Sequence, residues 1–253
     1  MKLVRRLIVV VAFGACDAAT PASPTPSNLP SPSAAVRVLM VTATAGFRHE
    51  DGIAAARQVM SSLSATTGEF MLTTTEDVSS ITPARLATVD VLFFALTSGE
   101  LAFTDDQKRD LLRFVEGGRG FIGVHSATDT LYSWPDYGRL VGAYFREHPW
   151  TQSAAVTVSD ATHPSTRGLP ARFTLLEEFY TFRENPQPPV QILLRLDPAS
   201  VGATGDFPLA WAQTFGSGRA YYNALGHFPS TWQDARFQLQ LRGAIRWAAG
   251  VER

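Results

Sequence analysis

Residues 89–125, VDVLFFALTSGELAFTDDQKRDLLRFVEGGRGFIGVH, read as a strand, a helix and a second strand in unbroken order. The opening part, up to Gly99, is strongly apolar, as a strand covered on both faces must be. The middle carries the start and stop signals of a helix. Thr104 is an N-cap, Gln107 sits three residues on as in a capping box, Asp105 and Asp106 fill the first turn, and Gly117 closes it. The last part, GFIGVH, is apolar again and stops on His125. Parallel strands need a crossover between them, so strand, helix and strand joined by short loops predict a parallel sheet with helices on its faces.

The same alternation continues on both sides. Val36 to Val41 is an apolar, β-rich run, and FMLTTT at 70–75 is the next strand. Between them, His49 to about Ser64 has helical spacing, with Ile53, Ala56, Val59, Met60 and Leu63 on one face. Residues 130–150 mix aromatics with a short helical pattern. AAVTVSD, FTLLEEFYTF, QILLRLD, FPLAWAQTF and GRAYYNALGH follow as successive short strands. ARFQLQLRGAIRWAAG closes the chain as an amphipathic helix with Gly250 as its stop. The expected fold class is α/β, a doubly wound, mostly parallel sheet flanked by helices, in one domain over residues 36–253. Such sheets bind ligands beyond the carboxyl ends of their strands.

The N-terminus is expected to lie outside this domain. Lys2, Arg5 and Arg6 precede the apolar run Leu7 to Phe13, which is too short to span a bilayer and has the form of a secretory signal over residues 1–16. Gly14 and Ala15 directly before Cys16 also resemble a lipoprotein signal, in which Cys16 carries the lipid, although Phe13 stands where Leu is usual. Either form implies export, to a membrane surface or to the periplasmic or extracellular space. Residues 17–35 are rich in Pro, Ser, Thr and Ala and read as a disordered tether.

Composition excludes several kinds of chemistry. A formal net charge of -1 gives no basic face for a nucleic-acid partner. The single cysteine lies in the leader, so the folded domain has no thiol nucleophile, no thiolate metal site and no disulfide.

What remains is imidazole and carboxylate. His125 and His227 each end an apolar strand beside small residues, in GVHSA and ALGHF, and His49 lies in the loop after the first strand. A histidine at a strand end is often only a hydrogen-bonded structural residue, but several at one end of a sheet can share a cleft. His148 and His163 each precede a proline, which favours an extended turn, and His163 reads as a residue that fixes one. On a strand Glu177 and Glu178 point to opposite sides, so only one faces a given pocket, and Glu178 shares its side with Tyr180. A pair of surface glutamates is the plain alternative. Histidine with carboxylate suits zinc or another first-row divalent metal, with His49, His125, His227 and Glu178 as possible ligands. No local H-x-x-x-H spacing demands one. Ser126 stands one place out of register for a nucleophile at the turn after the strand, so its side chain is expected to point elsewhere. Phe47, Tyr132, Trp134, Tyr137, Tyr180 and Trp232 offer aromatic faces for a sugar ring, and Trp134, in the polar loop YSWPDYG, is the hardest to explain as core.

TATAGFRH, GRGFIGVHSA, LVGAYFREHPW, HPSTRGLP, EEFYTF, GSGRAYYNALGHFPSTW and AIRWAAG occur in this order over residues 36–250. Together they resemble the ThuA-like family, named for a trehalose-utilisation protein. The resemblance implies the flavodoxin-like sheet of class I glutamine amidotransferases. Those relatives carry a cysteine in the elbow and a His-x-Glu pair after a late strand. Here the elbow holds His125, and Pro229 stands where the glutamate would be, so hydrolysis of glutamine through a thioester is not available. The resemblance also implies that His49, His125, His148, Glu178, Tyr180 and His227 surround one site, and that Glu177 replaces a usual Asp.

From the family follows an expected role in carbohydrate metabolism, on a sugar or 3-keto-glycoside and beside a partner sugar oxidoreductase. His125, Glu178, His227 and His49 are the expected acid, base or metal-ligand groups. Tyr180, His148 and Trp134 are the expected substrate contacts. A non-catalytic sugar-binding lipoprotein, or a scaffold that docks the oxidoreductase, are the alternatives.

Overall fold

A computed structural model describes residues 35–252. The leader with Cys16, and the tether except for Ala35, lie outside the described residues. No described helix is long and apolar enough to cross a membrane.

Nine strands form one sheet: β1 (Val36–Val41), β2 (Phe70–Thr75), β3 (Val91–Ala95), β4 (Gly120–Val124), β5 (Phe145–Val158), β6 (Arg172–Phe182), β7 (Gln191–Leu196), β8 (Pro208–Phe215) and β9 (Gly218–Asn223). Their order across the sheet is β2-β1-β3-β4-β9-β8-β7-β5-β6. Pairings from β2 to β9 are parallel and those from β9 to β6 antiparallel. The α/β sheet flanked by helices is as expected, with the parallel order confined to one half. The reason is connectivity. α1 (Glu50–Thr67), α2 (Pro83–Leu86) and α3 (Asp105–Glu116) cross over within the first half, α5 (Pro229–Gln233) and α6 (Ala235–Ala248) follow β9, and no α-helix intervenes between β5 and β9. Strands without a helical crossover return antiparallel.

β3 and β4 are buried at every residue, which is why their sequences read as unbroken apolar runs. The capping box of α3 is complete. Thr104 Oγ1 accepts from Gln107 N at 3.2 Å, and Gln107 Oε1 accepts from Thr104 N at 3.0 Å. Thr104→Ala is therefore expected to cost about 1 kcal/mol, read as a fall of a few degrees in Tm, and an unchanged Tm would refute the cap's contribution. β5 begins at Phe145 rather than near Ala154, because its first half is largely exposed and carries Pro149 and two register shifts, so no alternation marks it. α4 (Pro135–Val141) is the short helix expected before it.

The parallel half has the doubly wound order with β1 and β3 on either side of the reversal. The carboxyl ends of β1, β4 and β9 therefore open toward one side, and β6 reaches the same place from the antiparallel half.

Candidate metal centre

His125 occupies the first residue after β4 with φ +53°, a conformation that a side chain with a Cβ rarely adopts. Its backbone is held there from two sides. Tyr222 Oη donates to the His125 carbonyl at 2.7 Å, and Thr128 Oγ1 lies 2.9 Å from the same hydroxyl. The imidazole is fully buried, and its Nδ1 lies 2.8 Å from the Ala224 carbonyl. A carbonyl only accepts, so Nδ1 carries a proton and Nε2 is the nitrogen that faces inward.

Around that nitrogen stand Tyr180 Oη at 3.0 Å, His227 Nδ1 at 3.3 Å and Glu178 Oε2 at 3.4 Å. His227 Nδ1 and Glu178 Oε2 are themselves 3.1 Å apart. His49 completes the group: one donor atom from each of His49, His125, Glu178 and His227 lies within 4.8 Å of the others. Bonds of about 2.0–2.1 Å to a tetrahedral zinc place neighbouring donors about 3.3 Å apart. The three short separations, 3.1, 3.3 and 3.4 Å, match that edge. The backbone carbonyl behind His125 is the kind of outer partner that orients a ligating imidazole. The donor set fits a divalent ion.

The electrostatics agree. Burial and then the charges of His125 and His227 pull His49 down to about 3. His49 also sits at the N-cap of α1, where the helix dipole disfavours a cation, so it is neutral and available as a donor. Glu178 is held well below the usual carboxylate range. Burial opposes this, but hydrogen bonds and charge from His125 and His227 override it. For His227, burial pulls down, but the hydrogen bond and charge of Glu178 win and raise it. Burial, with the charges of Tyr222 and Glu178, pushes Tyr180 well above 10, so it keeps its proton.

Glu177 is the residue sequence reasoning missed. It is fully buried and is no surface glutamate. Its Oε2 accepts from Gly226 N at 2.8 Å and Thr231 Oγ1 at 2.7 Å. Its Oε1 accepts from His227 N at 3.1 Å and Glu178 N at 2.9 Å. One carboxylate thus fixes the loop carrying His227 and the backbone of Glu178. The alternation of β6 sends it away from the pocket, as expected, but nothing local in LLEEF tells a buried glutamate from an exposed one. Gly52 completes the support: a Cβ there would meet the His227 carbonyl at 2.9 Å, so only glycine lets α1 approach this loop.

The other expected site residues divide. His148 joins the group from β5, half-exposed, with Nδ1 3.2 Å from Glu178 Oε1. Trp134 does not. It is buried, stacked on Tyr137 at 5.9 Å with Lys108 over its ring, so its place in a polar loop was misleading and it is a core residue. Tyr137 and Trp232 are fully buried as well. Ser126 does not point away: its hydroxyl lies 3.5 Å from His49 Nδ1, but it is fully buried and supports the cluster rather than facing substrate. His163 fixes a turn, its Nδ1 accepting from Ser165 N at 3.2 Å.

A doubly wound half-sheet with a strained histidine in the elbow defines the glutamine amidotransferase type of fold without its thiol. A protein described as a GMP synthase subunit from Thermoplasma acidophilum shares the fold at a TM-score of 0.54 and 12% identity, over 86% of this chain and 96% of that one. The chain belongs to the ThuA family, whose model, described as trehalose utilisation, matches residues 37–248. A ThuA-like protein from Bacteroides uniformis is 25% identical with a TM-score of 0.75, covering 91% of this chain and 97% of its own. Another from Parabacteroides merdae is 18% identical with a TM-score of 0.71, over 86% and 91%. No curated protein matches the sequence.

Proposed function

We propose that this ThuA-family chain is an exported carbohydrate-active enzyme, acting on a sugar or 3-keto-glycoside at the His/Glu centre with a divalent ion such as zinc. The observation that carries the reading is the convergence of three imidazoles and one carboxylate at the ligand-binding end of the sheet, with His125, His227 and Glu178 at tetrahedral spacing and a His49 donor within 4.8 Å of them. The family's description as trehalose utilisation supports a sugar as the ligand.

His49, His125, His227 and Glu178 would hold the ion, which supplies polarisation of a carbonyl or hydroxyl oxygen. The chain's own groups do the rest. Tyr180, protonated and buried beside His125, donates a hydrogen bond to an oxygen that gains charge. His148 has its side chain 48% exposed, the most open of the imidazoles around Glu178. It stands at the mouth where a proton is taken from, or returned to, the carbon next to a carbonyl. The basic and apolar leader ending at Cys16 supports export, with a lipid anchor at that cysteine. A keto-glycoside must come from the oxidation of a sugar, which makes a sugar oxidoreductase the expected partner.

The test is elemental analysis of the purified chain together with turnover of trehalose and its 3-keto derivative, for wild type and His125→Ala. One ion per chain and product from a sugar are expected, with both lost and the rate down at least about 100-fold in the variant. A folded His125→Ala chain with full activity would sink the assignment. Binding without product over long incubation would replace it with an accessory sugar-binding role.

A further inference from the structure

Beside His49 and His227 the site opens into a cavity of about 230 Å³ on the α1 side. Its rim carries Phe47, Asp51, Phe228 and Pro229. We propose that Phe47 and Phe228 form a platform that seats the apolar face of one terminal pyranose ring, with Asp51 accepting from its hydroxyls. This rests on the sugar reading above and specifies how the sugar is held.

A single exposed aromatic is ordinary on a protein surface. Phe47 differs in where it stands and how firmly. It is 69% exposed, yet its ring packs edge-to-face on His49 with centroids 4.8 Å apart. Phe228 makes the same kind of contact with His227 at 4.5 Å. Both rings therefore border a donor of the candidate centre.

The backbone under Phe47 is fixed. Ser98 Oγ donates to the Phe47 carbonyl at 2.6 Å, and Ala45 N donates to the Ser98 carbonyl at 2.8 Å. The two loops touch so closely that a Cβ on Gly99 would lie 2.4 Å from Gly46 N. A platform already held in place loses little freedom when a ligand settles on it.

The polar partner is Asp51, exposed on the first turn of α1, whose carboxylate has no hydrogen bond or ion pair among the described residues. A sugar ring presents a C–H face to an aromatic and hydroxyls to a carboxylate acceptor, and this rim offers both within one turn of chain. The volume is below the roughly 300–1,000 Å³ of pockets that take drug-sized ligands. It suits one ring rather than an oligosaccharide.

The test uses the full chain with methyl α-glucopyranoside and trehalose as probes. Saturation-transfer NMR reads which sugar protons touch the protein, and titration reads affinity. Transfer is expected to be strongest to ring C–H protons. Phe47→Ala should weaken binding roughly tenfold, and Phe47→Trp should keep it. Because the ring is exposed, the Ala variant is expected to melt within a degree or two of wild type. Equal binding by wild type and Phe47→Ala overturns the platform and leaves the sugar reading standing. No binding of either sugar by wild type overturns both.

Discussion

Glu178→Gln is expected to lower the affinity of the chain for zinc by roughly 100-fold or more and to abolish turnover. The substitution keeps the size of the side chain and removes the one negative charge among the four donors. Two of the other donors and one further imidazole meet that charge: His227 at 3.1 Å and His125 at 3.4 Å on one oxygen, and His148 at 3.2 Å on the other. Because His125 and His227 hold Glu178 well below the usual carboxylate range against its burial, it is ionised wherever the protein is folded at ordinary pH. An amide nitrogen in place of either oxygen would face a nitrogen donor or the ion itself. Competition against a chromogenic chelator measures the effect, with circular dichroism to establish that the variant is folded. Wild-type zinc affinity in a folded Glu178→Gln chain would remove Glu178 from the ligand set.

The second large effect is expected at a residue that faces away from the pocket. Glu177→Ala leaves four donors without their acceptor: the buried amides of Glu178 and Gly226, the partly buried amide of His227, and the buried hydroxyl of Thr231. Each unpaired buried donor costs about 1–3 kcal/mol, and neighbouring losses do not add fully. A total of about 3–5 kcal/mol follows, or a fall of roughly 10 °C in Tm. The loop carrying His227 is released at the same time, so zinc affinity is expected to fall about 10- to 100-fold although Glu177 touches no ion. Glu177→Gln separates geometry from charge. It keeps two acceptor lone pairs at one position and sets an N–H₂ group against donors at the other, so an intermediate Tm is expected. Faster hydrogen exchange at residues 226–231 would be the local signature. A Glu177→Ala chain that melts with wild type and binds zinc equally well would show that this carboxylate holds nothing in place.

The parallel half was open to reading because its physics is local. β3 and β4 are covered on both faces, and α3 begins with a side-chain cap that three residues define. The exposed half of β5 left no such trace. The candidate centre was legible only in outline. His49, His125, His148, Glu178, Tyr180 and His227 do meet, but they come from separate segments, and no spacing along the chain encodes a distance across a sheet. Their grouping rested on strand ends and on the ThuA resemblance. Glu177 and Trp134 mark the limit from opposite sides: a surface pair stayed open as the alternative for Glu177, which is buried, and Trp134, expected in the pocket, is core, because burial at a loop or strand end is decided by what packs there from elsewhere.

The position of β9 has a consequence for how the chain becomes a protein. It is the last strand in sequence, yet it lies between β4 and β8 in the middle of the sheet. During synthesis from the N-terminus, β4 keeps an open edge until residues 218–223 emerge, and β8 has no central neighbour to dock against. Open edges of buried strands invite pairing with other chains. Closure is therefore a late event in which the local hairpin of β8 and β9 docks on β4 through contacts distant in sequence, which is the slow kind. That same event delivers His227 beside His125, so the donors of the candidate centre come together only when the whole sheet is complete.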